Sequence, residues 1–167
     1  MKICLTGHNG FLGKQISNFF EKNNSISKIN LRNIKIENDF NKNFFLSQFD
    51  KADFIINCAA CLNPKSENDF FINQLLPKLI ATNVDIYLKN CIFIHLSTIN
   101  VLIDGRKDQY TKSKMIAEEN LKDTSAIIVR LPFMYEKKNN QIVNAGNLKT
   151  FFNYLNFKLP FYPMIYP

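Results

Sequence analysis

The stretch "KICLTGHNGFLGK", Lys2 to Lys14, decides how the rest of the chain is read. A short apolar run leads into Gly7, Gly10 and Gly13, three apart, and a helical apolar pattern starts at Phe11 and Leu12. Glycine permits positive φ and close backbone approach. A helix opening near Gly10 offers free N–H groups and a positive dipole end to a pyrophosphate. The spacing is G-x-x-G-x-x-G, not the G-x-G-x-x-G of the usual dinucleotide fingerprint. A tight turn with no ligand is the alternative reading. A strand before and a helix after are the context that a phosphate-cradling turn requires.

Working outward, apolar runs alternate with helical patterns, which is the signature of a parallel α/β sheet. Strands are expected at "KICLT", "ISKINLR", "IKI", "DFIINCAA", "CIFIHLS" and "SAIIVRLPF". Helices are expected at "FLGKQISNFFEK", "FFLSQFD", "NDFFINQLLPKLIATNVDIYLKN" and "QYTKSKMIAEENLKD", with Pro77 bending the third. A weak helix, "LKTFFNYLNF", is expected in the tail. About six strands with helices between them predict one doubly wound sheet, its ligand at the carboxyl ends of the strands.

The 167 residues amount to about one domain. No apolar run approaches the roughly 20 residues that cross a bilayer. No signal-peptide pattern opens the chain, so a cytoplasmic location is expected. The net charge of +7 suits a polyanion such as a dinucleotide or a nucleotide-linked substrate. The lysines are scattered and the phenylalanines do not interleave with them, so no nucleic-acid groove is expected. Cys58 and Cys61 form a CxxC pair, but with no second pair and only His8 and His95 as further candidates, no metal site is expected.

Three features carry chemistry. Arg32 stands where an acidic residue would grip the ribose 2′-hydroxyl of NAD, and an arginine there suits the 2′-phosphate of NADP. A surface arginine is the alternative. Tyr110 and Lys114 lie four apart on a predicted helix, hence on one face. A tyrosine of pKa about 10 needs roughly 4 kcal/mol of help to act as a base near neutrality, and an ammonium nearby favours the phenolate. Ser97 and Thr98 end an apolar strand, where a hydroxyl can hydrogen-bond a substrate carbonyl, although a plain strand-terminal cap would look the same.

Taken in order, "TGHNGFLG" (Thr6–Gly13), "DFIINCAA" (Asp53–Ala60), "STINV" (Ser97–Val101), "YTKSK" (Tyr110–Lys114) and "RLPFMY" (Arg130–Tyr135) resemble the extended short-chain dehydrogenase/reductase family. "STINVLIDG" is most similar to the dTDP-4-dehydrorhamnose reductase branch, with nucleotide-sugar epimerases and dehydratases close behind. The resemblance implies a Rossmann fold, a three-layer αβα single domain. It implies a dinucleotide-binding part over 1–135, with 136–167 a remnant of the substrate lobe or a carboxy-terminal extension.

It also implies roles. Gly7, Asn9, Gly10, Phe11, Leu12 and Gly13 would hold the pyrophosphate. Asp39 and Phe40 would meet the adenine, Ala59 and Ala60 would lie along the cofactor, and Pro132 would border the nicotinamide with Phe133. Thr98, Tyr110 and Lys114 would be catalytic, with Lys114 lowering the tyrosine pKa. NADP, slightly favoured over NAD, would be the cofactor and a nucleotide sugar the substrate. A homodimer through the helices at 66–89 and 108–122 is expected. The family carries a further carboxy-terminal portion that builds the sugar-nucleotide pocket, and by the resemblance the chain is expected to be shortened there. A truncated, non-catalytic dinucleotide-binding module is therefore the competing reading.

Overall fold

The computed structural model describes residues 1–31, 40–106, 108–132, 135–138 and 141–144. Its five-stranded sheet comprises β1 (Lys2–Thr6), β2 (Ser25–Ile29), β3 (Phe54–Asn57), β4 (Ile92–Thr98) and β5 (Ile127–Leu131). All pairings are parallel and the order is β2-β1-β3-β4-β5. These are five of the six expected strands; "IKI" lies outside the described residues. An antiparallel pair that the sequence did not announce, β6 (Tyr135–Lys138) and β7 (Gln141–Asn144), follows. The expected tail helix also lies outside the described residues.

Alternation along the strands builds two apolar faces. Ile3, Leu5, Ile56, Ile94 and Leu96 pack with Ile16 and Phe20 of α1 (Phe11–Phe20). Cys4, Ile55 and Phe93 pack on the other side, with Phe45 and Phe49 of α2 (Lys42–Phe49) and Phe71 of α3 (Glu67–Gln74). Ile80 and Val84 of α4 (Leu76–Tyr87) complete that face. Helices on both faces of the sheet make the three-layer α/β fold. Strands buried on both sides explain why β3 reads as continuous apolar sequence.

The segment expected as one bent helix is two. α3 ends at Gln74 and α4 restarts at Leu76, with Pro77 in its first turn. There the missing N–H of proline costs no hydrogen bond, so the proline opens a helix instead of bending one. Side chains fix the starts of α2, α3 and α5 (Gln109–Asn120). Ser66 and Asp69 form a reciprocal capping box on α3, and Asn41 caps α2. Asp108 accepts from the Thr111 amide at 2.9 Å to start α5. No helix among the described residues is long and apolar enough to cross a membrane.

Candidate active-site cleft

The strand order reverses between β1 and β3, and a crevice opens at their carboxyl ends. A cleft of about 440 Å³ lies there, walled by Gly7–Gly10, the end of β2 and Cys58–Cys61. A second cavity of about 200 Å³ continues from it towards β4, β5 and α5. Gly10, Cys58 and Ala60 line both, so the two form one groove across the strand ends.

The glycine loop is shaped by contact. Gly7 has φ +68, and a Cβ there would stand 2.5 Å from the Ala59 nitrogen. A Cβ on Gly13 would meet the Gly7 carbonyl and stand 2.7 Å from the His8 Cα. Those two glycines let α1 and the β3 loop close on the turn. Gly10 differs: a Cβ would meet only the Gly7 oxygen, at 3.3 Å, with the rest of its surroundings open. It is the N-cap of α1, which has no side-chain cap. The first amide groups of a helix have no intrahelical acceptor. Gly10, Phe11, Leu12 and Gly13 line the smaller cavity, and a helix start of this kind suits an anion.

Below the groove runs a buried polar row at one sheet register, Thr6–Asn57–His95. The Thr6 hydroxyl donates to Asn57 Oδ1 at 2.6 Å, and the Ala59 amide donates to the same oxygen at 3.2 Å. That fixes the Asn57 amide, so its NH₂ donates to His95 Nδ1 at 3.0 Å. The His95 proton is thereby placed on Nε2, which has no partner among the described residues. Burial first, and the Lys114 charge second, hold His95 well below its ordinary pKa, so it is neutral.

The second cavity gathers Thr98, Tyr110 and Lys114. Thr98 ends β4, and its oxygen accepts the Asn100 amide at 3.3 Å, opening a single 3₁₀ turn, Ile99–Leu102. Its O–H has no acceptor among the described residues. Tyr110 and Lys114 come from the first turns of α5, the ammonium 5.9 Å from the centre of the ring. Lys114 is 1% exposed and donates to the Leu96 carbonyl at 2.9 Å. Burial brings its pKa down to about 8, while the Cys58 thiol and Glu118 push it up. Tyr110 goes against expectation. Burial first, and the Asp108 charge second, raise its hydroxyl pKa. Desolvation of the half-buried phenol is set by packing, which residue spacing does not reveal.

The other expected site residues divide. Asn9 lines the larger cleft, Ala59 does too, and Phe11, Leu12, Gly13 and Pro132 line the smaller cavity. Phe40 is 5% exposed, its ring 5.6 Å from that of Phe44, and it is a core residue that lines neither cavity. Arg32 and Asp39 lie outside the described residues. One network was missed. Glu118 accepts from Ser97 and Arg130, and its signal was a third residue on the four-residue spacing of Tyr110 and Lys114.

No protein-family profile matches the chain. No curated protein matches it. Solved structures do. A hypothetical dTDP-4-dehydrorhamnose reductase from Sulfolobus tokodaii is 20% identical, with a TM-score of 0.62 over 83% of this chain and 58% of its own. A dTDP-4-dehydrorhamnose reductase from Bacillus anthracis, in complex with NADP, is 19% identical, with a TM-score of 0.63 over 94% of this chain and 60% of its own. A Bacillus halodurans structure assigned as an NAD-dependent epimerase/dehydratase is 17% identical, with a TM-score of 0.64 over 83% and 73%. The chain thus has the Rossmann-type fold of the extended short-chain dehydrogenases/reductases that its motifs resemble. It spans about three fifths of the length of the first two.

Proposed function

We propose that the chain binds a nicotinamide dinucleotide along this groove and reduces the carbonyl of a nucleotide-linked sugar. The observation that carries the reading is the convergence of Thr98, Tyr110 and Lys114 on a cavity continuous with the glycine cleft. The structural neighbours, NAD(P)-dependent reductases and epimerases, support the same general chemistry.

The groove fits the cofactor on its own evidence, through the open cradle at Gly10 and the uncapped start of α1. Gly7, Asn9, Gly10 and the amides of Phe11, Leu12 and Gly13 would hold the pyrophosphate, with Ala59 and Ala60 alongside. Pro132 would border the nicotinamide, which supplies the hydride when bound. Thr98, its oxygen already accepting a backbone amide, donates its O–H to the substrate carbonyl oxygen. Tyr110 gives that oxygen its proton. Burial holds the Tyr110 pKa above its ordinary value, so the hydroxyl is protonated, the form a proton donor needs. Lys114 presents its ammonium beside the phenol and, by the family resemblance, the nicotinamide ribose.

Arg32 lies outside the described residues, and its place in the sequence, about where an acidic residue would grip the ribose 2′-hydroxyl, is the ground for preferring NADPH. Arg32→Ala should weaken NADPH more than NADH, and equal loss would refute the preference. Exposed Leu75, Met115 and Ile116 around α3 and α5 support a homodimer through those helices. A monomer by light scattering would contradict it.

The test is turnover of dTDP- and UDP-4-keto sugars with NADPH, comparing Tyr110→Phe. Loss of turnover with cofactor binding kept is expected. Binding with no Tyr110-dependent turnover would leave only a dinucleotide-binding module.

A further inference from the structure

Tyr110, Lys114 and Glu118 follow one another at four-residue spacing on one face of α5. The first two line the smaller cavity, and Glu118 does not. Its carboxylate is nonetheless fully engaged. Ser97 Oγ donates to Oε1 at 2.6 Å. Arg130 donates to Oε2 from Nη2 at 2.7 Å and from Nε at 3.1 Å. Ser97 and Arg130 are register partners on β4 and β5. The next residue in each strand, Thr98 and Leu131, lines the cavity. One carboxylate therefore ties both strand ends to the helix that carries the acid and the lysine. The Glu118 side chain is 11% exposed and that of Arg130 is 43% exposed, so the pair sits at the edge of the interior.

We propose that Glu118 is a positioning residue of this site, fixing Ser97 and Arg130 next to Thr98 and Leu131 and setting a negative charge one helical turn from the Lys114 ammonium. The inference rests on the reductase reading.

The groups that face Lys114 are the Cys58 thiol from the end of β3, His95 from β4, and Tyr110 and Glu118 from its own helix. Cys58 is pushed up by burial, Tyr110 is raised and His95 is held low, so these three are neutral at pH 7. Glu118, ion-paired with Arg130, carries the charge. It offsets part of the cost of burying an ammonium among neutral neighbours.

The carboxylate and the guanidinium act on Lys114 with opposite signs, and this separates a charge role from a packing role. Glu118→Gln keeps an acceptor for Ser97 but removes the negative charge and leaves Arg130 unneutralised. Lys114 should then titrate lower by about half a unit or more, as expected for a unit charge one helical turn away in a partly screened site. Arg130→Gln, at a half-exposed side chain, should make Lys114 titrate higher. Glu118→Asp should move the value back towards wild type.

The experiment is NMR titration of selectively ¹³C-labelled lysine in the full chain without cofactor, with Lys114→Arg assigning the signal. A fall in Glu118→Gln together with a rise in Arg130→Gln supports the proposal. No change in either variant, or the same sign in both, overturns it. Should Glu118→Gln fail to fold, the sign in Arg130→Gln decides. Where the wild type turns over, the alkaline limb of kcat should move with the Lys114 titration in each variant, which a packing defect would not produce. A wild type that never turns over sinks the reductase reading and leaves the titration to judge Glu118 alone.

Discussion

Two glycines of the loop, three residues apart, should fail in opposite ways when given a methyl group. Gly7→Ala places its Cβ 2.5 Å from the Ala59 nitrogen and from the Cys58 carbonyl carbon, both backbone atoms that cannot swing aside. The residue also holds φ +68, left-handed backbone that costs an L-residue roughly 1–2 kcal/mol. Overpacking adds roughly 1–3 kcal/mol. Gly7→Ala should therefore lose about 2–5 kcal/mol, a large share of an ordinary domain's stability, and melt roughly 5–20 °C lower. Gly10→Ala meets only the Gly7 oxygen at 3.3 Å, with ordinary negative φ. Its stability cost is that of a poorer N-cap, about 1 kcal/mol. If the proposed binding mode holds, its methyl group would stand where the backbone approaches the pyrophosphate, so dinucleotide affinity should fall at least about tenfold, or 1.4 kcal/mol. Thermal melts and calorimetric titration with NADPH read the two effects apart. Equal melting losses in both variants, or unchanged affinity in Gly10→Ala, would refute the division of the loop into a packing glycine and a ligand glycine.

Lys114 is buried at the expense of stability. Moving its pKa from 10.5 to about 8 corresponds to roughly 3 kcal/mol at neutral pH. Losing its hydrogen bond to Leu96 returns about 1 kcal/mol. Lys114→Met should thus melt roughly 4–8 °C higher while losing turnover, and a lower melting point would contradict the burial argument. His95 gives the fold an acid sensitivity. It is neutral in the fold but takes a proton in the unfolded chain below pH about 6.5, so its contribution is full above that pH and is lost as pH falls. Urea midpoints should drop from pH 7 to pH 5 in wild type and drop less in His95→Gln. Equal slopes would show that His95 is not the group responsible.

The glycine spacing, the strand before it and the helix after it were legible because each obeys a local rule, and the loop formed as read. Tyr110 and Lys114 were legible for the same reason, since helical spacing put them on one face. What depends on packing was not legible. Phe40 looked like an adenine neighbour by position, yet its environment is the Phe44–Phe45 cluster, which depends on where α2 docks. Pro77 was read as a bend because the sequence does not show that the chain restarts a helix one residue earlier. The raised Tyr110 pKa depends on burial, and no spacing encodes burial. Glu118 was half legible: its distance from Lys114 is in the sequence, but its partners Ser97 and Arg130 come together only through the β4–β5 register.

The central claim is that the joined groove over β1, β3 and β4 is a nicotinamide dinucleotide site. Calorimetric titration of the wild-type chain with NADPH and NADH, with Gly10→Ala as control, tests it most directly. The account predicts saturable one-to-one binding of at least one of the two, weakened at least about tenfold in a Gly10→Ala protein that remains folded. Binding of neither dinucleotide by the folded wild type would contradict it.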